Sequence, residues 1–160
     1  MFTIARAEMK NSWDQFPPSN LIDGDRNNFA HSEIESDGMW IRINLEQCSI
    51  ITKLIVYNRK GNIQYINRIV GASVFIKRGD EYVKDCGKIN SAENSYTFNC
   101  EGDGNVIEIS QERKVGTWNI AEIEVYGTPA KISSPGLPNI FQGGVRALFY
   151  PDYLFSHRFT

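Results

Sequence analysis

Met39-Trp40-Ile41-Arg42-Ile43-Asn44-Leu45 alternates strictly, with Met39, Ile41, Ile43 and Leu45 on one face and Trp40, Arg42 and Asn44 on the other. A period of two marks a strand with one buried face. The same period returns over residues 120–126, where Ala121, Ile123 and Val125 face one way and Glu122 and Glu124 the other. Residues 50–58 are rich in β-branched side chains, and residues 69–77 predict a strand buried on both faces. Residues 96–99 and 106–109 predict two short strands. Turn clusters separate these runs: Asn27-Asn28, Asp37-Gly38, Lys60-Gly61-Asn62, Arg78-Gly79-Asp80 and Gly102-Asp103-Gly104. No helical period lasts beyond a turn or two. Many short strands joined by turns predict an all-β sandwich or barrel. The polar, proline-bearing stretch ahead of Gly24 predicts a long ordered loop rather than a strand.

The chain has 160 residues, about one domain. Its net charge of −2, with no basic block, argues against binding nucleic acid through a general electrostatic footprint. No apolar run reaches the roughly 18 residues of a membrane span. Met1-Phe2-Thr3 leads into Ala5-Arg6-Ala7-Glu8 with no signal-peptide core, so the chain is either not exported or a mature or excised form. Of three cysteines, Cys86 and Cys100 stand at strand ends joined by a short connection, placed to form a disulfide, with Cys48 left as a free thiol. The competing reading is three reduced thiols in a cytosolic protein.

Composition changes after Gly127. Residues 128–144 hold Pro129, Pro135, Pro138 and Gly143-Gly144, the composition of a linker or extended arm. The end carries Phe149, Tyr150, Tyr153, Phe155 and Phe159. A disordered tail is poor in aromatics, so this arm is expected to pack on something, a second copy included, unless the chain is cut from a larger protein. The division is therefore a sandwich over 1–127 and an arm over 128–160.

Three constellations carry candidate chemistry. Asn20-Leu21-Ile22-Asp23-Gly24-Asp25-Arg26-Asn27-Asn28 sets two carboxylates around a glycine, which suits a loop about a hard cation that also recruits backbone carbonyls. Glu122 can add a carboxylate; a plain Asp-Gly turn is the alternative. His31, Arg59 and Arg68 can converge, since the two arginines flank one loop. Guanidinium donors suit vicinal sugar hydroxyls, though from spacing alone ordinary surface arginines and a lone His are the better account. Trp13, Phe16 and Tyr65 offer aromatic faces for a sugar ring, or pack over the sandwich edge. Nucleophile elbows, zinc-protease motifs and phosphate loops are absent, and no enzyme activity is expected.

In order, Ser19-Asn20-Leu21-Ile22-Asp23-Gly24-Asp25, the strand at Trp40, Ile51-Thr52-Lys53-Leu54-Ile55-Val56-Tyr57-Asn58-Arg59, Arg68-Ile69-Val70-Gly71-Ala72 and Ala121-Glu122-Ile123-Glu124-Val125-Tyr126-Gly127 resemble the F5/8 type C (discoidin) superfamily. They are most similar to its fucose-binding F-type lectin branch. The resemblance implies an eight-stranded jelly-roll β-sandwich with ligand loops at one end. It implies a structural Ca2+ held by the Asp23 and Glu122 carboxylates and the Asn20, Asp25 and Ala121 carbonyls, with Asn28 standing where the family often has Ser or Thr. It implies a sugar site built from His31, Arg59 and Arg68. Gly61, followed by Asn62, stands where the lectin motif has Asp, and the loop to Arg68 is longer by about two residues.

The expected function is a calcium-stabilised, lectin-like domain at a cell or virion surface or outside the cell, binding fucose or a related cell-surface glycan. The alternatives are an adhesion module for a protein or lipid headgroup, or an accessory domain of a larger enzyme or viral attachment protein. The aromatic arm is expected to support a homo-oligomer.

Overall fold

A computed structural model describes residues 4–112 and 116–130. The arm from 131 onward, and with it the expected oligomer contact, lies outside the described residues. The described residues form seven strands: β1 (Ile4–Met9), β2 (Ala30–His31), β3 (Met39–Asn58), β4 (Ser73–Arg78), β5 (Glu81–Lys88), β6 (Ser95–Gln111) and β7 (Asn119–Pro129). One helical turn, α1 (Ile63–Ile66), and 3-10 turns at Pro18–Leu21 and Asn67–Ile69 complete the elements.

β3 and β6 are long enough to serve two layers. The first part of β3 pairs with β1 and with the second part of β6, which in turn pairs with β4, and β4 with β5. The second part of β3 pairs with the first part of β6 and with β7, and β7 pairs with β2. The β3–β6 register jumps between Asn44 and Ser49, so the chain turns its corner there without breaking the ladder. Every ladder is antiparallel, and the arrangement is the expected jelly-roll sandwich, with seven described strands where the resemblance implies eight.

The alternation at residues 39–45 holds: Met39, Ile41, Ile43 and Leu45 are buried and Trp40, Arg42 and Asn44 are half-exposed. Ile107, Ile109, Val74, Ile76, Leu54, Val56, Ile123 and Val125 fill the space between the layers, closed at one end by Leu21, Ile69 and Trp118.

Three expectations are corrected. Residues 4–9 are a strand rather than loop, because Arg6 and Glu8 pair with each other and mask an edge strand whose Met9 reaches the core. Gly102-Asp103-Gly104 is not a turn but lies inside β6. A Cβ on Gly104 would overlap the Lys77 carbonyl oxygen and the Ile76 side chain, so glycine permits close approach of β4. Residues 69–72 are a 3-10 turn and its exit, so the expected strand starts only at Ser73.

Cys86 and Cys100 form a disulfide, with Cα atoms 5.3 Å apart, and Cys48 is a free, half-buried thiol. Cys86 lies in β5, the last strand of one layer, and Cys100 lies in the part of β6 whose ladder partner is β3 alone, since β4 pairs only with residues 106–110. The bridge therefore joins the open edges of the two layers. For a closed loop spanning 14 residues, replacing both cysteines by alanine should lower the unfolding free energy by about 3 kcal/mol. Urea melts of the variant and the parent measure this, and coincident midpoints would show that the bridge adds nothing.

Candidate functional site

The ladder β2–β7–β3 positions the candidate site. β2 is only two residues long, but the chain before it is laced to it. Trp13 N–H donates to the His31 carbonyl at 2.8 Å, and His31 N–H donates to the Phe16 carbonyl at 3.1 Å. Trp13 then stacks on the His31 ring at 5.0 Å and Phe16 on Phe29 at 4.7 Å. Trp13 remains 45% exposed, so its stack with the imidazole is open to solvent on one side.

His31, Arg59 and Arg68 converge. His31 Nδ1 donates to the Ser32 carbonyl at 2.6 Å, which leaves Nε2 as the acceptor 3.2 Å from Arg68 Nη1. The Arg59 guanidinium lies over Phe29 at 4.0 Å and over Tyr65 at 4.3 Å, and Arg68 lies 4.9 Å over the same Tyr65 ring. Tyr65 thus sits between two guanidiniums and sets their spacing.

The sequence around Tyr65 explains the departures from the lectin motif. Gly61 has φ +134°, a conformation that strains an aspartate, and Asn62 Oδ1 accepts from Gln64 N–H to begin α1. The longer loop is spent on that helical turn, which delivers Tyr65. Asn58 binds the loop from beneath: its Oδ1 accepts from Arg59 N–H, and its Nδ2 donates to the Ile66 carbonyl at 2.8 Å and the Glu93 carbonyl at 3.2 Å. Phe29 escaped the sequence reading. Its signal was an aromatic residue two before His31, on the approach to a strand too short to show a period.

Burial holds the His31 imidazole below its usual pKa, and the charges of Arg68 and Arg59 add to the effect. His31 is therefore neutral at neutral pH and can accept a hydrogen bond. Burial also lowers Arg68, with Arg59 second, although a guanidinium stays charged throughout.

The Asn20–Asn28 loop folds over the face of β7 and buries Glu122, which alternation alone placed facing outward; Glu122 is 4% exposed. Gly24 N–H donates to Glu122 Oε2 at 3.1 Å, and Asn28 Nδ2 donates to Asp23 Oδ2 at 2.6 Å. Asp25 Oδ1 accepts from the Asn27 backbone and side chain, and Asn20 Nδ2 donates to the Phe29 carbonyl, so their side chains are used within the loop. The β3–β7 register slips between Tyr57–Glu122 and Asn58–Ile120, which makes Ala121 the extra residue of a bulge and disrupts its ladder bonding.

Two features of this loop suit a cation. Asn28 Oδ1 is buried with no hydrogen-bond partner. Burial, with Asp23 beside it, pushes the Glu122 carboxyl up to about 7. Both are relieved by a hard cation that accepts oxygen ligands. Among the described residues no three His, Cys, Asp or Glu side chains cluster to hold a metal alone, so backbone carbonyls would have to complete the shell.

A groove of ≈ 380 Å³ runs beside Trp13, lined also by Ser12, Asp14, Gln15 and Glu33. A separate concavity of ≈ 570 Å³ on the other layer, at Phe75, Tyr82 and Lys88, shares none of the candidate residues. The Glu108 carboxylate, on the same layer, is already held by Lys77, Arg42 and Tyr82. Among the described residues no helix is long and apolar enough to cross a membrane.

A family model described as a NedA-like, galactose-binding domain of F5/8 type C matches residues 20–122. No curated protein matches the sequence. Among solved structures, the lectin domain of lectinolysin complexed with Lewis b antigen is similar at 16% identity and TM-score 0.68, covering 78% of this chain and 94% of that one. A fucose-binding module of Streptococcus pneumoniae is similar at 23% identity and TM-score 0.67, covering 78% and 94%. A module of Clostridium perfringens in complex with GalNAc-β-1,3-galactose is similar at 16% identity and TM-score 0.63, covering 76% and 94%. At such identities the likeness is one of fold.

The lowered His31 pKa has a stability consequence. Its folded value lies below the unfolded one, so the stability that neutral His31 contributes is intact above pH 6.5 and is lost as pH falls through the folded value. An NMR titration of the His31 ring should give an apparent pKa below 6.5. Arg68→Gln should raise it only part of the way back, since burial remains the larger cause. A ring titrating above 6.5 would contradict the arrangement.

Proposed function

The chain belongs to the F5/8 type C family, within its NedA-like galactose-binding domains, and on that premise we propose that it is a calcium-stabilised glycan-binding module of a secreted or surface protein. The observation that carries this reading is the convergence of His31 Nε2, Arg68 and Arg59 around an aromatic wall of Phe29, Tyr65 and Trp13. The guanidiniums offer planar donors to adjacent hydroxyls, neutral His31 offers an acceptor, and the rings face the C–H side of a pyranose. Fucose is the sugar first expected. Galactose shares its relative arrangement of hydroxyls, and neighbours in fold bind Lewis b or a galactoside. An adhesion module for a protein or headgroup would be favoured by His31 and the arginines standing apart with Trp13, Phe16 and Tyr65 exposed. Trp13 is exposed, but the three polar residues converge, and the Phe16 and Tyr65 rings are half-buried.

Calcium belongs to the framework of this proposal rather than to any chemistry. Asp23, Asn28 and Glu122 would hold it by side-chain oxygens, with the Asn20, Asp25 and Ala121 carbonyls. When bound it supplies positive charge that ties the loop to β7. Phe29 and His31 follow that loop directly, so its order is inherited by the sugar site.

On a glycan array, the protein should bind fucosylated or galactose-terminated glycans with calcium present. Arg59→Ala and Arg68→Ala should each weaken binding about tenfold or more, the scale of a lost charge-assisted hydrogen bond. Glycan binding equal in wild type and both variants, or none in wild type, would reject the reading. Separately, millimolar calcium should raise the thermal midpoint by several degrees and chelator should reverse this, while Glu122→Gln should abolish the response. A midpoint indifferent to calcium in wild type would remove the cation from the account.

A further inference from the structure

Asn119, the first residue of β7, is 1% exposed, and neither its Oδ1 nor its Nδ2 has a hydrogen-bond partner. A buried carboxamide with both ends unpaired is unfavourable for folding, and such groups in folded proteins call for a reason. Its position supplies one. Asn119 is directly opposite His31 in the β2–β7 ladder, so the two side chains leave the sheet on the same face. On the other side of β7, Ile120 pairs with Asn58 of β3. Arg59 is the residue that follows Asn58, where the β3–β7 ladder ends. The order β2–β7–β3 therefore sets His31 and Asn119 on one face, with Arg59 just beyond the end of β3.

The bulge at Ala121 fixes this orientation. Simple alternation along β7 would place Asn119 with Ala121 and Ile123, facing the core. The extra residue reverses the sense, so that Ile120 opposes buried Asn58 and faces inward with Ala30. Asn119 is thereby turned to the face that carries His31.

We infer that Asn119 is the concealed polar floor of the saccharide site, a specificity-determining residue whose carboxamide hydrogen-bonds a sugar hydroxyl, directly or through one bound water. A carboxamide donates and accepts at once, as a hydroxyl pair requires, and neither function of Asn119 is committed to the protein. The neighbouring polar groups are committed: His31 Nδ1 to the Ser32 carbonyl, and Asn58 to three backbone groups. As the side chains stand, neither amide atom reaches solvent, so a sugar hydroxyl or its water reaches Asn119 only after the side chains over it shift. The inference rests on the glycan reading of the site above and adds a residue that neither motif nor period marked.

The experiment measures thermal midpoint and affinity together. Asn119→Leu keeps the shape and removes the unpaired amide; Asn119→Ala serves where leucine's branched end overfills the space. Titration calorimetry with L-fucose and with D-galactose, in calcium buffer, gives affinities for wild type, both variants and Arg68→Ala. The expected result is a midpoint equal to or above wild type in at least one Asn119 variant, with affinity for the preferred sugar down tenfold or more. A lower midpoint with affinity within twofold of wild type would make Asn119 a structural residue and overturn the inference, while loss of binding in Arg68→Ala leaves the glycan reading standing. If wild type binds neither these sugars nor any arrayed glycan, the glycan reading fails and the inference falls with it.

Discussion

A two-residue ladder governs the ligand end of this protein. Ala30 pairs with Ile120 and His31 with Asn119. This pairing holds the incoming loop against the sandwich. The aromatic stack from Trp13 to Phe29 leans on it, and the acidic Asn20–Asn28 segment ends at it. A ladder this short has little stability of its own. It persists because it is enclosed: Ala30 packs in the core, Trp118 N–H donates to Ser32 Oγ, and Ser32 N–H donates to the Trp118 carbonyl. The site is therefore as rigid as the hydrogen bonds around β2.

Much of the fold was legible because most strands bury one face. Residues 39–45 alternate and fold as they alternate. The failures have a common cause: at these places tertiary contact overrides the local signal. Residues 4–9 form an edge strand whose charged residues pair along the surface. Gly102 and Gly104 look like a turn in sequence, yet they are small because β4 passes close by. Glu122 alternates outward but is roofed by a loop that begins about a hundred residues earlier. For the site, the motif supplied His31, Arg59 and Arg68, and the fold brings them together. Phe29 and Asn119 were illegible: one precedes a strand too short to show a period, and the other owes its direction to a bulge that only pairing reveals.

Two of the buried carboxylates, Glu108 and Glu122, are treated in opposite ways. Glu108 is met by Lys77 at 3.0 Å, Arg42 at 2.8 Å and Tyr82 at 2.8 Å, and these contacts hold it below its usual pKa against the opposing effect of burial. Glu122 has one backbone donor and an acidic neighbour, and it is raised. The layer without candidate residues is satisfied at Glu108 but not throughout, since Gln111 Oε1 is buried there without a partner while its Nε2 donates to the Val70 carbonyl. The unsatisfied polar atoms of Asn28 and Asn119, with Glu122, gather at the loop end. Of the four such atoms among the described residues, three belong to Asn28 and Asn119 at this end.

The bridge between Cys86 and Cys100 bears on how copies of this domain meet. Exposed strand edges are where separate chains add to one another. Here the rim formed by β5 and the first part of β6 is fastened across itself, and β5 carries Glu81, Lys84, Asp85 and Lys88 along its length. The opposite rim, β1, carries Arg6 and Glu8. A module guarded in this way tolerates crowding: several can be held side by side on one scaffold, at high local concentration, without their sheets recruiting each other into aggregates.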